Sequence, residues 1–363
     1  MGIKILHAAD FHMDSPFEAL ETRKAVQRRA EQRELLGKLA ELVNANGVEL
    51  VLLAGDLLDS AVSYHETHEM LLSALGSMRA KVFIAPGNHD YLCPASPYEK
   101  LKFPENVTVF RSTTPKPVMV PELNARIWGA AFHSPRCTNF LRGFTLPESS
   151  TVEIMVLHGE SISDNNYGPP PERIIAESNL DYLALGHIHS FSGLNQAGKT
   201  FWAYPGCPEG RGFDETGAKG VLLGEVEKGR ADLRFVPMGG REYSVCRIPL
   251  TPETAPLDAA LSCLGEDAAR HVYRFIFTGE HAGALPLEQI KAGLIQKVYA
   301  LELRDETREP RDIWDGIESD TLRGLFLTRM KARYDAADET EKQQITLAVR
   351  YGAAALENRE AAQ

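Results

Sequence analysis

The chain has 363 residues, enough for two or three domains at roughly 150 residues each and for a sizeable buried core. Its 44% hydrophobic and 25% charged residues exclude a wholly disordered or collagen-like chain. Lys and Arg number 39 against 50 Asp and Glu, and the net charge of −11 argues against a polybasic nucleic-acid or membrane binder while leaving room for a locally basic groove.

In chain order, residues 3–9 read as a strand, 19–44 as a helix and 49–54 as a compact apolar strand. A further helical pattern precedes a strand at 81–85. This strand–helix–strand rhythm predicts a layered α/β domain with strands buried on both faces. After Val107 the connections shorten, with strands expected at 107–111, 126–131, 153–158, 181–185, 201–204, 220–226 and 232–237. A first, larger domain is expected over 1–242. A small α/β domain follows over 243–310, in the order strand 243–248, helix 256–264, strand 272–278, helix 286–295, strand 298–304. A helical tail occupies 311–363. In it Leu322, Leu325, Phe326 and Met330, and then Ile345, Val349, Gly352 and Leu356, recur at helical spacing.

The five cysteines (Cys93, Cys137, Cys207, Cys246, Cys263) form no C-x-x-C pair, so neither a disulfide framework nor a structural zinc site is expected. No apolar run approaches the roughly 18 residues of a membrane span. The opening MGIKILHAADFH meets a charge at Asp10 too early for a signal peptide. A cytoplasmic protein with no membrane partner is expected.

Five short motifs each follow a predicted strand: Asp10-Phe11-His12, Gly55-Asp56-Leu57-Leu58-Asp59, Gly87-Asn88-His89-Asp90, His158-Gly159 and Gly186-His187-Ile188-His189. Strand C-terminal ends are where layered α/β proteins gather their sites. Asp, Asn and His together offer hard oxygen and imidazole donors, a set suited to manganese, iron or zinc rather than calcium. If these loops meet, Asp10, His12, Asp56, Asn88, His158, His187 and His189 converge. Seven donors are too many for one ion with an open position, and they fit two ions sharing a bridging carboxylate, with Asp56 the natural bridge. Two such metals, about 3.5–4 Å apart, activate a hydroxide and neutralise a phosphoryl group during in-line displacement. His89 is left over to protonate the leaving oxygen, and Asp59 is placed to orient that imidazole. The expected reaction is phosphoester hydrolysis. His7 reads as a core or near-site packing residue, while His65, His68, His271 and His281 read as surface or packing residues.

These motifs resemble those of the calcineurin-like metallophosphoesterases, with the closest fit to SbcD-type DNA repair exonucleases. The opening from His7 to Phe17, and the segment Pro205-Gly206 through Arg211 to Gly220, are similar to the YhaO-like bacterial proteins. The resemblance covers residues 1–240 and is weak beyond. It implies a four-layer αββα double-sheet sandwich carrying a small α/β cap domain and a helical tail. It also implies a dinuclear nuclease preferring Mn2+, with Fe2+ or Zn2+ as alternatives. One metal would then be held by Asp10, His12, Asp56 and His189, the other by Asp56, Asn88, His158 and His187, with His89 the catalytic histidine. DNA as substrate, a coiled-coil ATPase partner of the SbcC type and homodimerisation are implied as well.

Local basic groups matter more than net charge for DNA contact. Arg211 and Lys219, in a glycine-rich loop, are candidate phosphate contacts. Arg23, Lys24, Arg28, Arg29 and Arg33 read as a solvated helix face, and Trp202 and Tyr204 as strand packing. Two rival readings stand beside the exonuclease: a small-molecule or protein phosphoesterase on the same scaffold, and an assembly protein that mainly binds DNA ends or a partner.

Overall fold

The computed structural model of the protein describes residues 2–60, 63–136, 140–159, 172–251, 253–310 and 312–356. The chain runs β1 (Ile3–Ala8), α1 (Thr22–Ala45), β2 (Leu50–Leu53), α2 (His65–Ser77), β3 (Lys81–Ile84), α3 (Pro97–Lys100), β4 (Val107–Val109), β5 (Lys116–Val120) and β6 (Ala125–Gly129). It continues with β7 (Val152–His158), α4 (Glu172–Ser178), β8 (Tyr182–Gly186), β9 (Asn195–Ala197), β10 (Thr200–Ala203), β11 (Gly220–Glu227) and β12 (Arg230–Pro237). Last come β13 (Tyr243–Leu250), α5 (Pro256–Ser262), β14 (Val272–Gly279), α6 (Leu287–Leu294), β15 (Ala300–Asp305), α7 (Leu322–Ala336) and α8 (Glu339–Leu356).

Two six-stranded sheets carry the first compact unit, which comprises residues 1–245, 265–274 and 295–301. The first has the order β12-β11-β1-β2-β3-β4, the second β5-β6-β7-β8-β10-β9. In each, four strands run parallel and the antiparallel ones lie outside them. Burial on both faces explains the near-continuous apolar runs of the central strands. Ile5, Leu52 and Phe83 of the first sheet meet Ile127, Ile154, Val156 and Ala184 of the second in the inner core. Their neighbours Leu6, Val51, Val82 and Ile84 turn outward under Leu35, Leu39 and Val43 of α1 and Leu71 and Leu75 of α2. Met155, Leu157, Leu183 and Leu185 turn outward on the other side against Ile175 of α4. The result is the expected αββα sandwich. His7 links the sheets: its Nε2 donates to the Leu185 carbonyl (3.1 Å) and its Nδ1 accepts from the Tyr182 hydroxyl (2.8 Å). Complete burial lowers its pKa to about 3, so the ring is neutral.

The structure adds β5, β9 and the helices α3 and α4 to the elements expected from the sequence. Pro117 and the exposed outer residues of β5 give it an edge-strand pattern with an apolar run of only Val118–Val120, and β9 has only three residues. The basic face expected on α1 needs correction at Arg28. This side chain is fully buried and pairs with Glu209 (2.5 Å) and Glu31 (2.8 Å), because α1 packs against the loop after β10. Arg33 pairs with Asp14 and Glu66, and Lys24 donates to the Tyr299 carbonyl.

β13, β14 and β15 form a three-stranded sheet in that order, with α5 and α6 in the connections. The second compact unit comprises residues 246–264, 275–294 and 302–363. Its α7 is capped by the Thr321 hydroxyl, which accepts from the Gly324 amide (3.1 Å). α7 and α8 pair closely: a side chain at Gly352 would meet the Phe326 ring at 2.4 Å. The apolar face expected on α7 is only partly buried. Leu327 and Val349 are covered, whereas Leu322 and Leu325 are exposed, together with Leu347 and Tyr351. The end of the expected tail, 357–363, lies outside the described residues, as does Cys137; Cys93, Cys207, Cys246 and Cys263 are free thiols. No helix among the described residues is long and apolar enough to cross a membrane.

Breaking a buried ion pair strands its partner charge, so Arg28→Ala should lower stability by about 3–5 kcal/mol. Replacing both partners, as Arg28→Leu with Glu209→Leu, should recover most of that loss. Urea denaturation of the two proteins checks this; a double variant as unstable as the single one would show that packing, not charge, sets the cost.

Candidate metal centre

All five motifs leave C-terminal strand ends toward one point, from β1, β2, β3, β7 and β8. The loops after β1 and β2 stay in register beyond the sheet. The amides of Asp10, His12 and Met13 donate to the carbonyls of Gly55, Asp56 and Leu57 at 2.9–3.0 Å, and the Asp59 amide returns a bond to Met13. To aim alternate side chains into the site, Asp10 (φ 57°), His12 (44°), Asp56 (50°) and His187 (107°) all adopt left-handed backbone. Such conformations are unfavourable for L-residues and persist where the surroundings fix them. Gly87 supplies clearance: a Cβ there would lie 2.2 Å from Asp56 Oδ1.

The expected donors converge. His158 Nε2 lies 3.2 Å from Asp56 Oδ2 and 2.9 Å from Asn88 Oδ1, and His187 Nδ1 lies 3.2 Å from the same Asn88 oxygen. On the other side His12 Nε2 is 3.6 Å from Asp56 Oδ2 and 3.3 Å from His189 Nε2, which is 3.9 Å from Asp10 Oδ1. Asp56 thus stands between two groups of candidate donors, one with Asp10, His12 and His189 and one with His158, His187 and Asn88. Within the sets Asp10–His12–His189 and Asp56–His158–His187 the donor atoms lie within 4.8 Å of one another.

The outward nitrogens show that this set suits cations. His12 Nδ1 donates to Asp59 (3.0 Å), His189 Nδ1 to Glu215 (2.7 Å) and His158 Nδ1 to the Ala54 carbonyl (2.9 Å). In the neutral ring each bond fixes the tautomer whose Nε2 lone pair points inward, the usual arrangement behind a metal-ligating histidine. Burial lowers the pKa of His12 and His187 to about 4, keeping both in the neutral form a metal takes. Burial raises Asp10 to about 6. Burial also opposes charge on Asp56 and His158, yet their mutual attraction wins: Asp56 is held below the ordinary carboxylate range and His158 rises to about 9. That proton is the one an arriving cation must displace.

His89 sits at the solvent edge, its side chain 45% exposed, with its ring 4.6 Å from that of His12. Asp59 stands differently from the expected arrangement. Its carboxylate is 3.9 Å from His89 Nδ1 and bonds His12 instead, while its backbone carbonyl takes the His89 Nδ1 (3.1 Å). Arg211 bonds Glu215 and lies 3.4 Å from Asp59, so it borders the centre. Lys219 donates to the His189 carbonyl (2.9 Å) and braces the ligand loop. Trp202 and Tyr204 are buried, as expected of packing residues.

Two further residues shape the site without being evident from the sequence. Asp90, fully buried, accepts from the amides of Leu57 (2.7 Å), Gly87 (2.7 Å), Asp56 (3.3 Å) and Leu58 (3.3 Å), and from the Tyr98 hydroxyl (2.6 Å). Glu215 orients His189 and binds Arg211. Asp90 closes the third motif and Glu215 lies in the glycine-rich loop, but the Asp56–Leu58 amides and His189 that they hold are distant in sequence, so spacing carries no signal of those roles.

A family model described as calcineurin-like phosphoesterase matches residues 3–191, a span containing all seven donors. The chain is 28% identical over 246 residues to the metallophosphoesterase YhaO of Bacillus subtilis, a match covering 64% of this chain and 60% of YhaO, less than two thirds of that protein's length. It is 34% identical over 373 residues to the SbcD subunit of the SbcCD nuclease of Rhodobacter capsulatus, covering 83% of this chain and 86% of that one. Against the corresponding SbcD subunit of Bacillus subtilis the identity is 23% over 271 residues, covering 62% and 67%. With a family match over more than half its length, laid on two sheets whose strand ends gather a cation-binding set, the chain belongs to the calcineurin-like phosphoesterases.

Proposed function

We propose that this chain is a manganese-dependent DNA exonuclease of DNA repair, working in the cytoplasm as the nuclease component of a complex with a coiled-coil ATPase. The observation that carries the reading is the ligand set divided about Asp56, in a chain similar over 83% of its length to a protein named as the SbcD subunit of the SbcCD nuclease. Asp10, His12, Asp56 and His189 would hold one ion, and Asp56, Asn88, His158 and His187 the other. When bound, the ions supply Lewis acidity to the phosphoryl oxygens and lower the pKa of the attacking water.

The chain's own groups do the rest. The His89 amide donates to Asp56 Oδ1 (2.9 Å), tying the position of this residue to the bridging carboxylate. With Nδ1 donating to the Asp59 carbonyl, a protonated His89 presents Nε2–H outward, where the phosphorus–oxygen ester bond breaks and the leaving oxygen takes the proton. Asp59 and Glu215 hold His12 and His189, and Arg211 adds positive charge at the rim. Partner docking is assigned to the α7–α8 pair, because Leu322, Leu325, Leu347 and Tyr351 leave an apolar surface in water. Residues 243–310 are assigned as the cap that helps shape the DNA face.

Full-length protein in Mn2+ should progressively shorten end-labelled linear DNA and spare a covalently closed circle. Hydrolysis of bis(p-nitrophenyl) phosphate with no DNA cleavage, alone or with the ATPase, would favour the small-molecule phosphoesterase. His89→Ala should lower kcat by about 10²–10⁴ with metal content unchanged; full activity would remove it as proton donor. Asp56→Asn should lose metal and activity together when the desalted protein is assayed by elemental analysis, and retention of both ions would contradict the bridging role.

A further inference from the structure

Arg211 stands behind the candidate donors rather than among them. Its Nη2 and Nε donate to Glu215 (2.5 and 3.2 Å), and its Nη1 donates to Asp59 Oδ1 (3.4 Å). These are the two carboxylates that hold the outward Nδ1 of His189 (2.7 Å) and of His12 (3.0 Å). One side chain therefore joins the supports of two candidate ligands that follow strands of different sheets. The clasp is built locally: the Glu215 carboxylate folds back onto the Arg211 amide (2.7 Å), and the Glu215 amide closes the turn on the Gly212 carbonyl (3.1 Å). Glu215 is 3% exposed and Arg211 16%. A carboxylate so buried needs a paired cation, and the planar fork of Arg211 supplies one while fixing the plane of the carboxylate. The other candidate group has different supports. His158 Nδ1 donates to the Ala54 carbonyl (2.9 Å), and the Gly159 amide donates to the Gly186 carbonyl (3.0 Å), which ties together the loops carrying His158 and His187.

We propose that Arg211 is a positioning residue for one ion of the pair, the one assigned to Asp10, His12, Asp56 and His189, and that it does not set the affinity for the other; the inference rests on the two-ion reading above. An imidazole ligates well when a partner on its far nitrogen fixes the orientation of the ring, and losing such a partner costs about 10–100-fold in metal affinity. Removing Arg211 releases both partners at once, because Asp59 and Glu215 share its guanidinium. His12 and His189 then lose their orientation together, whereas His158 keeps its carbonyl. The guanidinium also approaches His189 from behind, with Nη2 3.1 Å from the outward Nδ1. That geometry serves the ligand rather than a phosphate on the ions.

The test titrates Mn2+ into metal-stripped, full-length protein by calorimetry, comparing wild type with variants at the clasp. Wild type should take up two ions. Arg211→Ala should weaken one of the two affinities by about 10–100-fold and leave the other at its wild-type value. Arg211→Lys, which keeps the charge but loses the fork, should fall between, and it reads the same role should the truncated protein not fold. Glu215→Gln should weaken the same affinity, and combining it with Arg211→Ala should add little, because the pair acts as one unit. The Mn2+ concentration giving half-maximal hydrolysis of bis(p-nitrophenyl) phosphate should rise by the factor seen in the weakened affinity. Two ions bound to Arg211→Ala at wild-type affinity, or an equal loss at both, would overturn the assignment. So would a raised KM for the diester with both affinities intact, which would make Arg211 a phosphate contact. A wild type that takes up fewer than two ions would refute the two-ion reading itself, and this inference with it.

Discussion

The buried carboxylate of Asp90 is the constraint on which the metal centre depends. Strands β2 and β3 end in sharp loops whose amides have no strand partner, and an unpaired amide in that interior would be costly. Asp90 gathers the amides of Asp56, Leu57, Leu58 and Gly87 onto two oxygens, and Tyr98 fixes the carboxylate from behind. The loop carrying Asp56 and the loop carrying Asn88 and His89 thereby become one body. Bonds between the 10–13 and 55–57 segments bring Asp10 and His12 into the same body.

The opposite half comes from the second sheet, and the two halves meet only because the inner core sets the sheets at a fixed separation. His7 reaches from β1 to Tyr182 and Leu185 of β8, the strand that ends just before His187. The His187 amide in turn donates to both oxygens of Asp10 (3.0 and 2.9 Å). Left-handed backbone at Asp10, His12, Asp56 and His187 is sustained by this double anchoring. Electrostatics follow the same geometry. Asp10 and Asp56 are buried carboxylates too close to remain uncompensated, and the proton held on His158 supplies positive charge between them.

The candidate ligands are legible in the sequence because each motif is local: one to three Asp, Asn or His residues within a few positions, at the end of an apolar strand or just past it, as in Asp10-Phe11-His12 and His187-Ile188-His189. The parallel strands are legible for a similar reason, since burial on both faces leaves a run of Leu, Val and Ile. Edge strand β9 carries no such run, and β5 only the short Val118–Val120 behind Pro117. Asp90 and Glu215 stand close to the ligands in the chain, yet their roles depend on amides and a histidine brought near only by folding. Arg28 shows the same limit from the other side, since helical spacing sets it among solvated arginines whereas Glu209, far along the chain, draws it into the interior. Asp59 lies between two histidines, and which one its carboxylate serves is decided by a loop register that spacing does not encode.

The shared position of Asp56 is tested most directly by titrating the metal-stripped, full-length chain with Mn2+ while following its electron paramagnetic resonance. Two ions per chain are expected, with the spectrum of isolated Mn2+ giving way to that of a spin-coupled pair as the second equivalent binds. A single ion at saturation, or two that remain magnetically independent, would contradict a centre built around one bridging carboxylate.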